Sequence, residues 1–462
     1  MDGRVEKKNE YMNKQNVLYM MRRDQRIHEN YAVQLGYELS YEYRSQLYFG
    51  VEFFTLKMNA RQRLFVLEGL AELSKEARKY NIELFIIKDL MAFVKTYTIG
   101  CIILDFCALR ESILREQEIY RMCEEMKIEL YVCDAHNIVP CKMLSKYKRT
   151  PKAVRTDLLK FFWQYLVAFN KVEVHKINKI DKEVKKEIDE EVKKEIEIDF
   201  EDARTIRKFV SATEIEGYLS RNKSNLERRN SISGGYSHGM KVMKNFFEGG
   251  RFKSFKSYRN DPDVDGNSGL SPWINFGQIS AQEVVFFGCE RFEKTNENLE
   301  TFINEAFVWR EIAEHFVLHE SNYDNIEGAL PWARESLLEH ACDKREIVFS
   351  QEQLESARTG YALWDAAQCQ LMYSGRIHGY VRMYWAKQLM WWTEDPRSAL
   401  NIALYFNDTY AIDGNSPNGY LGVMWSICGS MDRAFKEREV VGKIRTMKAF
   451  KAPVYINRWR EY

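Results

Sequence analysis

Between residues 17 and about 140 the chain alternates short apolar runs with long amphipathic segments, and nothing else in the sequence restricts the fold as strongly. The apolar runs are VLYMM (17–21), LYFGVEFF (47–54), IELFIIK (82–88), IGCIILDF (99–106) and IELYVCDA (128–135). Residues 59–80 and 108–126, which lie between such runs, read as helices. Strands that alternate with helices of this length predict a parallel sheet with right-handed crossovers. The first strand leads into RRDQR and not into a glycine-rich turn, which argues against a dinucleotide-binding domain of the NAD type.

Past residue 140 the character changes. The stretch 142–162 is basic, and EVKKEI then occurs twice, at 183–188 and 191–196. Val184, Ile188, Val192 and Ile196 recur every four residues, a narrow apolar stripe on a charged helix that predicts an interdomain spacer. From about residue 199 strand signals fade and helical ones dominate. With 462 residues, two domains are expected: an α/β domain over 1–150, a charged linker over 151–205 and a helical domain over 206–462. Aromatic residues make up 14% of the chain, too many for a disordered or merely charged protein. The net charge of +1 means that any surface for nucleic acid must be a local patch. One candidate is the end of the chain, where residues 433–462 hold nine Lys or Arg against three Glu. Nine cysteines without CxxC spacing, no apolar run of membrane-spanning length and a polar start predict a soluble intracellular protein with no metal site. It would be nuclear in a eukaryote and cytoplasmic otherwise, and a monomer is expected.

Half of the ten tryptophans fall between Leu354 and Asp432: Trp364, Trp385, Trp391, Trp392 and Trp425. Among their apolar neighbours stand single polar residues, His378, Arg382, Asn407, Asp413 and Asn418. The segment HGYVRMYWAKQLMWWT reads as one helix, with Trp385 and Trp392 on one face about 10 Å apart. An aromatic helical core accounts for the rings but not for Arg382, because an interior guanidinium needs an anionic partner. In NEAFVWREIAEHFV (304–317) Glu305 and Trp309 lie one turn apart, and Glu305 is expected to be a buried acid.

Several long words occur in fixed order: NSGLSPWINFGQIS (267–280), LW (363–364), AAQ (366–368), HGYVRMYWAK (378–387), ND (407–408), DG (413–414), PNGY (417–420) and WSI (425–427). In these words, and in RRDQR and CDAHNIVP of the first domain, the chain resembles the class II cyclobutane pyrimidine dimer photolyases over nearly its whole length. The resemblance implies a Rossmann-like N-terminal α/β domain able to hold an antenna pigment, followed by a helical domain that binds FAD. Ser268, the Leu270 amide and Ser271 would then hold the FAD diphosphate. Arg382 and Asp413 would pair against the flavin ring, Asn407 would face its N5, and Asn418 would join the cofactor site. Glu305 would hydrogen-bond the flipped dimer, packed by Trp309, Trp425 and Met383. Arg259, Phe435 and Arg445 would meet the DNA. Trp364, Trp385 and Trp392 would carry electrons between surface and flavin. The implied activity is blue-light repair of pyrimidine dimers in DNA, with the reduced flavin as electron donor. A cryptochrome-like photoreceptor is the rival reading, opposed by the retained Glu305 and Trp309. The sequence departs from the family at Phe255 (usually Tyr), Asn267 (Thr), Ser416 (Asp) and Phe435 (Trp).

Overall fold

The computed structural model of the chain describes residues 3–52, 58–169, 208–226 and 232–460. Seven strands form one sheet: β1 (Val5–Lys7), β2 (Asn16–Met20), β3 (Leu47–Val51), β4 (Glu83–Ile87), β5 (Ile99–Asp105), β6 (Glu129–Cys133) and β7 (Phe209–Ser211). Their order is β1-β6-β5-β2-β3-β4-β7. The five predicted strands are the inner five, all parallel to one another. They are almost wholly buried, as strands covered on both faces must be. The two outer strands pair antiparallel and were not anticipated. With three residues each, of which only Val210 is buried, they carry too little pattern to be read.

The crossovers are helices α1 (Tyr31–Tyr43), α2 (Ala60–Lys79), α3 (Leu90–Thr96) and α4 (Arg110–Met126). Asn59 closes the start of α2 as a capping box with Gln62. RRDQR follows β2 at the point where strand order reverses, the place at which doubly wound sheets admit a nucleotide. Here its own side chains occupy that point. Asp24 and Arg26 form a buried pair at 2.5 Å, Arg26 also donates to the carbonyls of Ala135 and Gly277, and His136 lies 3.1 Å from Asp24. Tyr19 donates to Asp105 at 2.6 Å, and the Arg23 and Asp24 amides donate to the other oxygen of that carboxyl.

Two compact units emerge, but their limits are not the contiguous ones expected from sequence. The sheet unit comprises residues 1–143, 166–240 and 273–286. Pairing of β7 with β4 draws residues around 209–211 into the sheet, although the change in composition assigned everything after 205 to the helical domain. The Pro151–Tyr165 helix, expected in the linker, belongs to the helical unit of residues 144–165, 241–272 and 287–462. The EVKKEI repeat lies outside the described residues. No helix among the described residues is long and apolar enough to cross a membrane.

Candidate functional site

The predicted helix forms as Gly379–Trp392, and the helices Ala362–Ser374, Pro396–Tyr410 and Pro417–Cys428 pack against it. Arg382, on its first turn, donates from Nη2 to Asp413 Oδ1 at 3.1 Å. Asp413 opens the DGNSPNG turn, which is fixed by its own polar groups. The Ser416 hydroxyl donates to the Asp413 carbonyl (2.7 Å) and accepts from the Gly419 amide (3.2 Å), capping the next helix. Ser416 thus caps this helix where the family usually has Asp. Asp408 accepts from the Asn415 amide and from Asn407 Nδ2, both at 2.9 Å, so the buried Asn407 amide is held in one orientation. A Cβ at Gly419 would stand 2.7 Å from that Nδ2, so the close approach needs glycine. Asn418, one residue earlier, is exposed.

Two guanidinium groups border the NSGLS loop. Arg251 donates to the Asn267 carbonyl (3.1 Å) and pairs with Asp265, and Arg376 Nη2 would lie 2.7 Å from a Cβ at Gly269. Gly269 sits at φ +73°, where glycine is favoured. Ser268 is half-buried, Leu270 is buried and Ser271 is exposed. Burial alone would raise the Asp413 carboxyl, but Arg382, the Ser271 hydroxyl and Arg376 outweigh it and hold it below the usual carboxylate range. Arg376 was missed from sequence because it stands in SGRIHG, which reads as a turn and nothing more.

Polar atoms remain without partners here. Arg382 Nε and both ring nitrogens of His378 are buried and unpartnered. Burial pushes His378 down to about 4 although Asp261 and Asp265 oppose the shift, so the ring is neutral at pH 7. An unpaired buried polar atom costs roughly 1–3 kcal/mol, so a cluster that holds the Arg382 and His378 N–H donors marks a place built for a polar ligand. A cofactor carrying a diphosphate and a heteroaromatic ring fits this donor set.

A family model described as DNA photolyase matches residues 17–170. A deoxyribodipyrimidine photo-lyase of Arabidopsis thaliana is 34% identical over 445 residues, covering 93% of this chain and 85% of that protein. One from Methanothermobacter thermautotrophicus is 29% identical and covers 96% and 94%. The chain belongs to the DNA photolyase family. Among solved structures, a class III photolyase from Agrobacterium tumefaciens superposes with a TM-score of 0.66 at 15% identity, covering 98% of this chain and 88% of its own. A Sulfolobus tokodaii photolyase, described with two FAD molecules, gives 0.66 at 19%, covering 96% and 90%. At these identities the likeness speaks for the fold.

Of the residues that the photolyase resemblance assigned to the lesion, two rings are in contact. Trp309 and Trp425 meet face to face, with centroids 4.8 Å apart and a tilt of 30°. Both are half-buried, as is Met383. Glu305 corrects the expectation of a buried acid. Its side chain is 32% exposed and pairs with Arg259 at 3.1 Å. The helix here is also not regular, because Asn304–Trp309 forms a π-helical turn. Such turns are rare and often mark functional sites, and this one holds Glu305 and Trp309 outward together.

The three tryptophans lie in a row. Trp385 and Trp392 do not touch; Trp364 stands between them, 6.4 Å from the first and 5.6 Å from the second. Trp364 Nε1 donates to the Trp385 carbonyl, and Trp385 Nε1 donates to Gln368. All three are buried, so none reaches the surface. The ring that does is Tyr361, 42% exposed and 4.6 Å from Trp392.

Phe255 lies in a cluster with Phe246 and Phe302, where a hydroxyl would gain no evident partner. Phe435 is exposed, on the loop that leads to the exposed Arg445. In the basic tail Lys443 lies 3.7 Å from Glu437, so part of the local charge surplus is offset.

Proposed function

We infer that this chain is a deoxyribodipyrimidine photo-lyase, a carbon–carbon lyase that repairs pyrimidine dimers in DNA, and that it belongs to class II. The observation that carries the reading is the presence, in one helical unit, of an acceptor-poor cationic site and a half-open aromatic cluster with an acid. Bound FAD, in its reduced form, supplies light absorption and the transferable electron. Ser268, Leu270 and Ser271 would hold its diphosphate beside Arg251 and Arg376. Arg382, Asn407 and Asp413 would face the ring, with Asn418 nearby. Trp309, Trp425 and Met383 wall the space for an extruded dimer, which leaves the helix readily because it pairs badly. Glu305 would hydrogen-bond a base of the dimer, and Arg259 would keep the carboxylate aimed. Trp385, Trp364 and Trp392 form a ring-to-ring route outward. Phe435 and Arg445 would meet DNA beside the lesion. The class assignment rests on the words HGYVRMYWAK, PNGY and NSGLS. The test is thymine-dimer loss from an oligonucleotide under blue light, alongside the absorption spectrum of the purified protein. A flavin-bearing protein that leaves dimers intact in light would overturn the reading.

A further inference from the structure

The helix Gly379–Trp392 presents Arg382 and Trp385 to the site described above, and along it lies a second set of contacts. The ammonium of Lys387, 8% exposed, donates to the carbonyl of Ser426 at 2.9 Å and to that of Arg445 at 2.8 Å. Gln388 donates to the Met447 carbonyl at 2.9 Å, and the rings of Tyr380 and Tyr384 both contact Phe450. The segment 445–450 is therefore strapped along this helix. Lys387 is the charged member of the strap, and it grips one residue next to Trp425 and one whose side chain points to solvent.

A buried lysine is costly unless it does something that a methionine could not. Charge-assisted bonds to two carbonyls on separate segments fix their spacing more firmly than neutral bonds would. We propose that Lys387 is a positioning residue that holds Trp425 and Arg445 at a fixed separation, so that DNA and lesion are engaged together. The proposal rests on the reading of Arg445 as a DNA contact. The charged groups that act on the ammonium are Asp432, which favours it, and Arg445, which opposes it. Burial pushes Lys387 down to about 8, so its charge is lost in an accessible range. The sign for stability is opposite to that for binding. A lysine lowered in the folded state makes folding more favourable as pH rises from about 8 toward its unfolded value. A loss of DNA affinity in that window cannot then come from unfolding driven by this group.

The experiment measures binding of a dimer-containing duplex by fluorescence anisotropy, at fixed ionic strength and from pH 7 to 9.5, with flavin content and urea midpoint in parallel. In the unaltered chain affinity should fall roughly tenfold across the range while the urea midpoint does not fall. Lys387→Met should bind roughly tenfold more weakly at pH 7, keep its flavin and show a flat profile. In an Arg445→Ala background Lys387→Met should add little, because the two act as one unit. If Arg445→Ala weakens binding but Lys387→Met does not, this proposal fails and the DNA reading stands. If Arg445→Ala itself changes nothing, the DNA reading of that residue fails. Should Lys387→Met not fold, the profile of the unaltered chain decides: a flat curve sinks the proposal.

Discussion

Two polar clusters lie in the two units of this molecule, and they differ in whether they are complete. In the sheet unit Tyr19, Asp24, Arg26, Asp105 and His136 satisfy one another and nearby carbonyls, with Asp24 Oδ2 the single atom of the group left unpartnered. In the helical unit Arg382 and His378 keep buried donors with no acceptor. Both clusters are buried and charged, so burial and charge do not tell structure from function. Satisfaction does. A completed network holds a fold, whereas an incomplete one of this size is stable only if something arrives to complete it.

The comparison can be broken most severely at Arg26. Replacing it by Met leaves Asp24 with a buried charge and should cost about 3–5 kcal/mol in urea unfolding. The folded fraction should retain its flavin, and a selective loss of flavin would mean that the sheet cluster is not merely structural. Arg382→Ala is expected to do the reverse. Flavin retained through gel filtration should largely disappear, while the urea midpoint of the flavin-free protein moves by less than about 1 kcal/mol equivalent, since this guanidinium is only partly paired. A large drop in stability with flavin retained would make the two clusters alike.

The aromatic row gives a third contrast. Trp364→Phe should suppress photoreduction of oxidised flavin, measured by bleaching under blue light with an external reductant. Dimer splitting by chemically reduced protein should continue, because it does not use this route. Photoreduction at the original rate would show that electrons bypass Trp364. The next effect is smaller. Glu305→Ala should lower the yield of dimer loss per absorbed photon and leave flavin spectrum and undamaged-DNA binding in place. Loss of one such contact in a closed site is worth about 2–4 kcal/mol, and the partial exposure of Glu305 reduces this. An unchanged yield would remove Glu305 from the site.

The smallest effects are in pH, where the two clusters should respond with opposite sign. Burial, with the Asp24 charge adding to it, raises Asp105 to about 7. A raised carboxyl gives stability that is complete below its unfolded value near 4 and is lost as pH climbs through 7. Burial lowers His378 to about 4. For a lowered imidazole, stability is complete above about 6.5 and is lost as pH falls toward 4. In flavin-free protein, acidification from pH 7 to 4.5 should therefore strengthen protection of β2 and β5 relative to the Gly379–Trp392 helix. Segment-resolved hydrogen exchange, corrected for intrinsic rates, measures this. Asp105→Asn should flatten the first response and His378→Asn part of the second.

How much was legible beforehand depended on the length scale of each interaction. The inner strands, α2 and α4 were legible because a buried strand is a local apolar run and a crossover helix a local periodicity. The residues assigned to the candidate cofactor site came from words of up to fourteen letters, not from chemistry: only Arg382 among apolar neighbours carried a physical signal of its own. Arg376 was hidden in a turn, and Lys387 lay in a word that resemblance explained only as part of a helix. Glu305 was given the wrong surroundings, because no local pattern reports a π-helical turn or a partner 46 positions away at Arg259.

Periodicity and long ordered words carry the sheet, the helical domain and the family, since both survive without any knowledge of contacts. The folded structure alone brings β7 back to the sheet, sets Trp364 between Trp385 and Trp392, and lets RRDQR fill its own crevice. It also decided which buried polar groups were satisfied. Each of these depends on pairs far apart in the chain, and a hydrogen bond or ring contact between distant segments leaves no trace in the spacing of residues along either one.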